Sequence, residues 1–553
     1  MSASLVEWNS VDEQLGSLTT LVDQLQQEVC ELQRENAELR CGVGYWKSMH
    51  ARAVERNTKL QAELDQAKAE IRQLKAERFG KQSEKQSSTD RSNDLNDPRE
   101  QAPPKKRGQQ PGRPAPKRRD YSQLPAREEQ VDSPEDAKVC ALCGKPLADH
   151  GQSDAVEQIE IETIVYRRVV RRKRYRRTCD CPGQQRIVTA PLPPKVLPKS
   201  IYGDSLWIHL LLEKFHLQRP IHRTLEQLRL LGASLAAGTV ADGLKRIEPL
   251  FTPIYDAILA RHVLSTYFHA DETRWKVFAE KEGKRGHLWW LWLFAGEDTV
   301  AYVLDSSRSH DVPQSHFPDD VQGVLMVDRY IAYKIMRQVK EGKLLLAFCW
   351  AHVRRDFVRV GKGYPELTTW ALDWLRQIRE LYRLNRERLR HVSDTPEFAA
   401  ADAKLRQHVA AMATQRDTEL ADDKLREPCR KVLVSLNEHW NGLTLFVDNP
   451  RIPLDNNYGE RLIRNPAIGR KNYYGSGAEW SGRLAVMMFS IFATLALWKI
   501  NPRKWLTWYF EACAASGGKP PDNPASFLPW NLSETRLADL QNPASNKAPP
   551  DTS

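Results

Sequence analysis

The stretch DNNYGERLIR runs from Asp455 to Arg464 and sets one acid, Glu460, among asparagines and arginines. Two earlier segments also carry an acid within a β-branched or aromatic run. They are HADETRW (His269 to Trp275), with Asp271, and VLMVDRYIAY (Val324 to Tyr333), with Asp328. Glu460 beside Arg461 and Arg464 reads either as a surface ion pair or as the third ligand of a metal site begun by those two aspartates. Taken singly, an Asp at a strand end is more often a turn former or helix cap. Glu460 alone is a helix-start acid favoured by the macrodipole. The order of the surrounding segments decides between these readings.

STYFHADETRW is predicted as a strand ending near Asp271. GHLWWLWLFAG and DTVAYVLDSSRS give two more strands, and VQGVLMVDRYIAY a fourth with Asp328 just past its apolar run. LLLAFCWAHVRRDF is a last strand leading into a helix. This succession is what a ribonuclease-H-like sheet needs, and there Asp271 and Asp328 would end neighbouring strands on one edge. The residue types suit phosphodiester chemistry, which needs an activated water or 3′-hydroxyl and a stabilised leaving oxygen. Two Mg²⁺ ions about 3.5–4 Å apart supply both. Magnesium prefers oxygen and keeps several waters, so two or three carboxylates suffice. Without a cation the acids repel one another, which makes them poor structural neighbours. Asp271 and Asp328 would share one ion and Glu460 would complete the second site, with Mn²⁺ as a substitute. Residues 361–450 are strongly helical, with Trp374, Leu375, Ile378, Leu381 and Leu384 at apolar positions. They read as a helical insertion that either clamps DNA or shapes the site.

The 553-residue chain carries a formal net charge of +11, concentrated in blocks. Lys105 to Arg119 holds seven basic residues in fifteen, and Arg167 to Arg177 eight in eleven, which are footprints of polyanion binding. Within the second block, Arg171, Arg172 and Arg174 are the candidate phosphate contacts. Within the first, Arg113 in GQQPGRPAPKRR resembles the Gly-Arg-Pro arms that lie in a minor groove; a plain tether is the alternative. The start MSASLVEWNSVDEQ lacks the pattern of a signal peptide. The most apolar run, Leu484 to Trp498, holds Ser490 and Thr494 and is shorter than the roughly 20 residues of a span. It is predicted as a buried helix. The expected setting is a reducing cytoplasm, in association with the nucleoid, with no membrane partner.

A 3-4 apolar spacing runs from Leu18 to Leu74, through Leu25, Leu32, Leu39, Trp46 and Leu60 at one seam position. Val22, Val29, Val43, Leu64 and Ile71 occupy the other, with Asn36 and Asn57 as polar interruptions. Such a stripe predicts a coiled coil and hence a homo-oligomer. Gly42 and Gly44 mark a break or, alternatively, the bend of a helical hairpin. Cys140 and Cys143 in VCALCGKPL, with Cys179 and Cys181 in TCDCPG, are four thiols in two pairs, the pattern of a structural Zn²⁺; His150 is an alternative ligand. The β-branched stretch between the pairs is predicted as two strands. RTLEQLRLLGASLAAGTVADGLKRI has helix-turn-helix spacing about Gly232, with a recognition helix near Ala237 to Arg246.

HADET, MVDRYIAY, CWAHVRRDF, DNNYGERLIR and AIGRKNYYGSG, in that order, resemble the DDE transposases of bacterial insertion sequences, the family numbered sixty-six in particular. The zipper ending in ERFGKQSEK, the GQQPG segment and the double-cysteine element are similar too. The resemblance implies metal-dependent cutting at element ends and joining of 3′-ends to target DNA, without a covalent protein intermediate. It implies catalytic roles for Asp271, Asp328 and Glu460. His352, Arg354 and Arg355 match a His-x-Arg-Arg segment expected at DNA phosphates or behind the acids. Arg461, Arg464, Arg470 and Lys471 are expected on phosphates. One departure is Arg329, where the family usually has Gly after the second aspartate; it would crowd the site or hold a phosphate. The implied partners are double-stranded DNA, both element ends and target, and accessory proteins of the element.

The fold expected is multidomain α/β. A coiled coil covers 15–79, a disordered basic linker 80–136, a zinc-binding β element (a small zinc ribbon) 137–195 and helix-turn-helix-like helices 200–250. The ribonuclease-H-like core takes 262–360, the helical insertion 361–450, the core's C-terminal helices with Glu460 451–512, and a disordered tail 513–553. Two other functions compete with transposition: a catalytically silent DNA-binding regulator and a structure-selective nuclease. The three acids favour an enzyme over the regulator, and the sequence-reading units ahead of the core favour a transposase over the nuclease.

Overall fold

The computed structural model describes residues 4–79, 126–140, 142–148, 156, 158–176, 178, 187–280 and 286–541. Arg113, Cys179, Cys181, His150, the linker up to residue 125 and the tail beyond Gln541 lie outside the described residues. The chain divides into two compact units, Met1–Ser87 with Asp356–Leu375, and Ser88–Arg355 with Arg376–Ser553.

In the first unit one helix, α1 (Ser4–Phe79), runs 76 residues, about 114 Å at roughly 1.5 Å per residue. Gly42 and Gly44 lie inside it with nothing within 4 Å of where a Cβ would stand. The break or hairpin expected there does not form, because two glycines cost the helix only about 1 kcal/mol each. From Val22 to Ile71 the 3-4 stripe stays exposed, with Leu39 at 62% and Trp46 at 70%. In the same unit Phe357 stacks on Trp374, centroids 5.3 Å apart.

The second unit opens with a short ribbon, β1 (Arg174–Arg176) antiparallel to β2 (Ile187–Thr189). Of the two strands expected in the stretch between the cysteine pairs, β1 is the piece that forms; residues 158–173 form none and lie exposed. Helices α2 (Asp204–Leu211), α3 (Ile221–Leu230), α4 (Ala237–Ile247) and α5 (Thr252–His262) follow. Gly232 turns between α3 and α4 at φ +85°. Helix α4 buries Val240, Leu244 and Ile247 and leaves Lys245 and Arg246 exposed.

The sheet begins with an antiparallel meander of β3 (Tyr267–Val277), β4 (Leu288–Ala295) and β5 (Val300–Asp305). After α6 (Asp311–His316), β6 (Gly323–Val327) joins β3 in parallel. Helices α7 (Ile331–Lys334) and α8 (Arg337–Lys340) lead to β7 (Leu344–Phe348), parallel to β6. The order is β5-β4-β3-β6-β7. Helices α9 (Trp350–Gly363), α10 (Thr368–Arg388), α11 (Pro396–Ala421), α12 (Glu427–Glu438) and α13 (Trp440–Asp448) come next. Then follow α14 (Asn457–Tyr473), β8 (Gly475–Ser476), α15 (Glu479–Leu497), α16 (Pro502–Ala515) and α17 (Glu534–Leu540). Strand β3 does not end near Asp271 as expected. It continues because Glu272 to Lys276 keep pairing with β4, from Glu272↔Trp292 to Lys276↔Leu288.

Helix α15 is the apolar run. It is long and apolar enough for a membrane span, yet 67% of that window is buried inside the protein. Its two hydroxyls have a structural reason. Strand β5 is a sheet edge, and its outward donors need partners. Val300 N–H donates to Thr494 Oγ1 at 3.0 Å and Tyr302 N–H to Ser490 Oγ at 2.8 Å. The tail expected to be disordered from residue 513 is folded through Gln541. Phe527, Leu528 and Leu540 are buried in the core with α16, and Trp505 Nε1–H donates to the Phe527 carbonyl at 2.8 Å. Prolines there open the 3₁₀ turns Pro524–Phe527 and Pro529–Asn531, while apolar anchors between them supply the packing.

Two outcomes follow. Ser490→Val orphans the Tyr302 donor and lowers unfolding free energy by about 1–3 kcal/mol in urea titration. His262 is wholly buried, and burial pushes its pKa down to about 3 from 6.5. A base kept neutral in the fold contributes stability above pH 6.5 that is lost as pH falls toward 3. The urea midpoint therefore drops between pH 7 and pH 5, and drops less in His262→Asn.

Candidate active site

One edge of β3 is paired with β4 from His269 to Lys276. The other edge is shared: β6 covers Tyr267 to His269, and β8 covers Lys276 and Val277. Ala270 to Trp275 therefore have no strand partner on that side, and Asp271 lies in the gap. The parallel register runs Tyr267↔Val324, Phe268↔Leu325, His269↔Met326. Two further steps bring Asp271 level with Asp328, the residue directly after β6.

Helix α14 closes the gap from both ends. Asn456 Nδ2–H donates to the Ala270 carbonyl at 2.9 Å. Arg470 Nη1–H donates to the Arg274 carbonyl at 2.7 Å and to Thr273 Oγ1 at 3.0 Å. Arg470 was expected on DNA; here it is occupied by β3. Asn456 is only 2% exposed. Since its amide nitrogen faces a carbonyl, its Oδ1 is the acceptor for His269 Nδ1–H at 2.7 Å. Its backbone N–H donates to Cys349 Sγ at 3.2 Å, and its carbonyl accepts from Glu460 N–H at 3.0 Å. Burial pushes the Cys349 thiol up to about 11, so it stays neutral. A Cβ at Gly459 would lie 2.7 Å from Asn456 Oδ1. The run Asn456, Gly459, Glu460 is thus one device: a clamp, the room for it, and the acid it delivers in the first turn.

Asp271 is the most perturbed acid. Burial pushes its carboxyl up to about 8, with Glu272, Asp328 and Glu460 adding repulsion and the Glu272 N–H, at 2.8 Å, opposing it. Asp328 Oδ1 accepts from Tyr330 N–H at 2.9 Å. Glu460 Oε1 pairs with Arg355 Nη2 at 2.6 Å, with His352 Nε2 at 3.9 Å. The three acids sense one another, but they do not form a closed ligand set. Among the described residues no three acidic, histidine or cysteine side chains stand close enough to hold an ion. The donor chemistry nonetheless fits a hard divalent cation. All three groups are oxygen donors, and the repulsion that Asp328 and Glu460 add at Asp271, where burial is the larger cause, is of the sign a cation relieves.

A fourth acid escaped the sequence reading. Glu272 has a side chain 3% exposed and accepts from Arg308 Nη2 at 2.6 Å and Tyr333 Oη at 2.8 Å. Burial raises its pKa, and Arg308 opposes that. The Arg308 guanidinium lies 4.0 Å from the Tyr330 ring and 4.6 Å from the Trp290 ring. Adjacency to Asp271 in HADET was the available signal. Arg329, expected to crowd the site or hold phosphate, sends Nη1–H to Ser435 Oγ at 2.9 Å.

The remaining candidates are spread over the surface. Arg354, Arg461, Arg464 and Lys471 are exposed, and His352 is half-buried with its pKa lowered by burial and then by Arg355. Arg171, Arg172 and Arg174 are exposed, Arg172 donating to the Ala190 carbonyl at 3.2 Å. Cys140 and Cys143 sit on a tight hairpin, with Cys140 N–H to Lys145 carbonyl at 2.8 Å, Gly144 N–H to Cys140 carbonyl at 2.9 Å, and Gly144 at φ +68°. Backbone N–H groups of Leu142 and Cys143 hydrogen-bond to the Cys140 sulfur and hold its pKa below the usual thiol value. That half-site suits a thiolate ligand. The two cysteines expected to complete it lie outside the described residues.

Comparison with known proteins adds family context. Residues 199–484 match a family described as Transposase IS66 family. The chain is similar to three proteins of Sinorhizobium fredii (strain NBRC 101917 / NGR234) named as uncharacterized. It is 27% identical to y4jD over 417 residues, covering 72% of this chain and 78% of that one. It is 25% identical to y4hP over 424 residues, 72% and 74%. It is 26% identical to y4qI over 445 residues, 77% and 79%.

Asn456→Ala removes both side-chain links between α14 and β3 and orphans a buried carbonyl and a buried imidazole. The expected loss is about 2–4 kcal/mol of unfolding free energy in urea titration; a wild-type midpoint would show that the clamp carries no weight.

Proposed function

The chain belongs to the Transposase IS66 family, which matches more than half of its 553 residues, and we propose that it cuts DNA at the ends of its element and joins them to a target, with Asp271, Asp328 and Glu460 as the catalytic acids. The single observation that carries this reading is the gap in β3: Asp271 stands level with Asp328, and the helix that fills the gap delivers Glu460. The arrangement is that expected of a ribonuclease-H-like core.

Divalent cations, two Mg²⁺ or Mn²⁺, would activate the attacking hydroxyl and neutralise the leaving oxygen when bound. Asp271 and Asp328 would hold one and Glu460 would complete the other. Glu460 must first exchange its Arg355 partner, and a scissile phosphate is the natural acceptor for the guanidinium it leaves. Arg354, Arg461, Arg464 and Lys471 offer exposed cations to flanking phosphates. Asn456 and His269 keep the Glu460 helix registered on β3. Away from the core, Arg171, Arg172 and Arg174 would grip the DNA backbone, and α4 would lie in a major groove. Cys140 and Cys143, with Cys179 and Cys181, would hold a Zn²⁺ that folds a piece without a core of its own. The exposed stripe of α1 pairs two or more copies into a coiled coil.

The test is a joining assay with labelled element ends and Mg²⁺ or Mn²⁺. Asp328→Asn should lose at least about three decades of joining rate, equivalent to about 4 kcal/mol, while retaining DNA binding in a mobility-shift assay. Joining at the wild-type rate would overturn the catalytic assignment. DNA binding without joining by the wild-type chain would leave a regulator, and cutting without joining a nuclease.

A further inference from the structure

We infer that the helical insertion between β7 and α14 positions the loop that carries Asp328, and does not grip DNA. Charge argues first. Residues 376–450 hold thirteen Lys and Arg against twelve Asp and Glu. A near-neutral segment makes a poor polyanion clamp beside blocks with eight basic residues in eleven.

Contacts argue second. The loop and short helix after β6, Asp328 to Lys334, meet the end of α12 twice. Arg329 Nη1–H donates to Ser435 Oγ at 2.9 Å, bridging 106 positions of sequence. One turn on, the Lys334 ammonium meets His439 Nε2. His439 Nδ1 lies 2.6 Å from the Ser435 carbonyl, which can only accept. Nδ1 therefore carries the proton and Nε2 is left as the acceptor for the ammonium. The two tethers share one anchor, a single turn of α12 and the residue after it.

That anchor is firmly mounted. Trp350 Nε1–H donates to the Leu443 carbonyl at 2.8 Å. A Cβ at Gly442 would lie 2.4 Å from the Leu346 carbonyl oxygen, so α13 packs backbone-close on β7. Inside the insertion the fully buried Arg388 binds Asp402 and the carbonyls of Phe446 and Val447, each at 2.8–2.9 Å. On its other side the same loop is held by Tyr330 Oη to the Arg308 carbonyl at 2.9 Å and Tyr333 Oη to Glu272 at 2.8 Å. A segment of seven residues is thus pinned between the sheet's meander and the insertion, with Asp328 at its first position. Arg329 is a positioning residue. The tether stands on contacts alone; its consequence for cation binding rests on the proposed role of Asp328.

The test uses the full-length chain. Hydrogen exchange of the segment 328–334 should quicken about tenfold in Arg329→Ala and in Ser435→Ala, the loss of one charged hydrogen bond. It should stay near wild type in Arg329→Lys and stay unchanged for β4 in all variants. The double variant should be no worse than Arg329→Ala alone, since that variant already removes the shared bond. Mn²⁺ affinity by calorimetry should fall about tenfold in parallel. Unchanged exchange in 328–334 overturns the tether; if Arg329→Ala fails to fold, Ser435→Ala decides alone. Faster exchange with unaltered Mn²⁺ affinity overturns the positioning role. A wild-type chain that binds no Mn²⁺ removes the metal role of Asp328, while the exchange rates still judge the tether. Lys404→Glu with Lys431→Glu should leave DNA affinity within about twofold, and a much larger fall would make the insertion a DNA clamp.

Discussion

Six residues of strand edge without a strand partner, Ala270 to Trp275, govern the organisation of this protein. Backbone carbonyls buried in a core need donors. Strands β6 and β8 satisfy the two ends of that edge and leave the middle open. Helix α14 supplies the missing donors from Asn456 and Arg470, and in doing so it fixes where Glu460 begins its first turn. The same constraint operates at the far edge of the sheet, where Ser490 and Thr494 of α15 close β5. Polar residues that look out of place in apolar or basic stretches are, in both cases, the caps of a sheet edge.

Closing the gap this way concentrates acids. Asp271, Glu272, Asp328 and Glu460 lie near enough that burial, with repulsion from the other three acids, pushes the Asp271 carboxyl up to about 8. Two arginines hold the tension: Arg308 fastens Glu272, and Arg355 fastens Glu460. The division of labour follows from burial. Glu272 is enclosed, with aromatic rings against its arginine, and is a fixed part of the scaffold. Glu460 is 32% exposed and Arg355 40%, so solvent screens that pair and leaves it the more exchangeable of the two.

Much of this was legible in the sequence, and the misses share a cause. Local patterns gave the strands, the position of Asp328 just past an apolar run, the helix of Glu460, the pair α3 and α4, and a helical segment before α14. What local patterns do not encode is a partner far away in the chain. The end of β3 was misplaced because its continuation depends on β4. Asn456 reads locally as a helix cap, yet its bonds to His269 and Ala270 span about 186 positions. Arg470 and Arg329 read as cations for phosphate because charge is visible in sequence; the acceptors they meet in the fold, Thr273 with the Arg274 carbonyl and Ser435, are not. In the segment after residue 513 proline and polarity suggest disorder but set only its turns, while Phe527, Leu528 and Leu540 anchor it in the core.

Asp271, Asp328 and Glu460 are proposed to hold a pair of divalent cations together once Glu460 leaves Arg355. The most direct test is Mn²⁺ binding to the full chain, followed by electron paramagnetic resonance, with and without a DNA end. Asp271→Asn, Asp328→Asn and Glu460→Gln should each weaken Mn²⁺ binding, and DNA should strengthen it in the wild type. Binding indifferent to any one of the three substitutions would contradict that proposal.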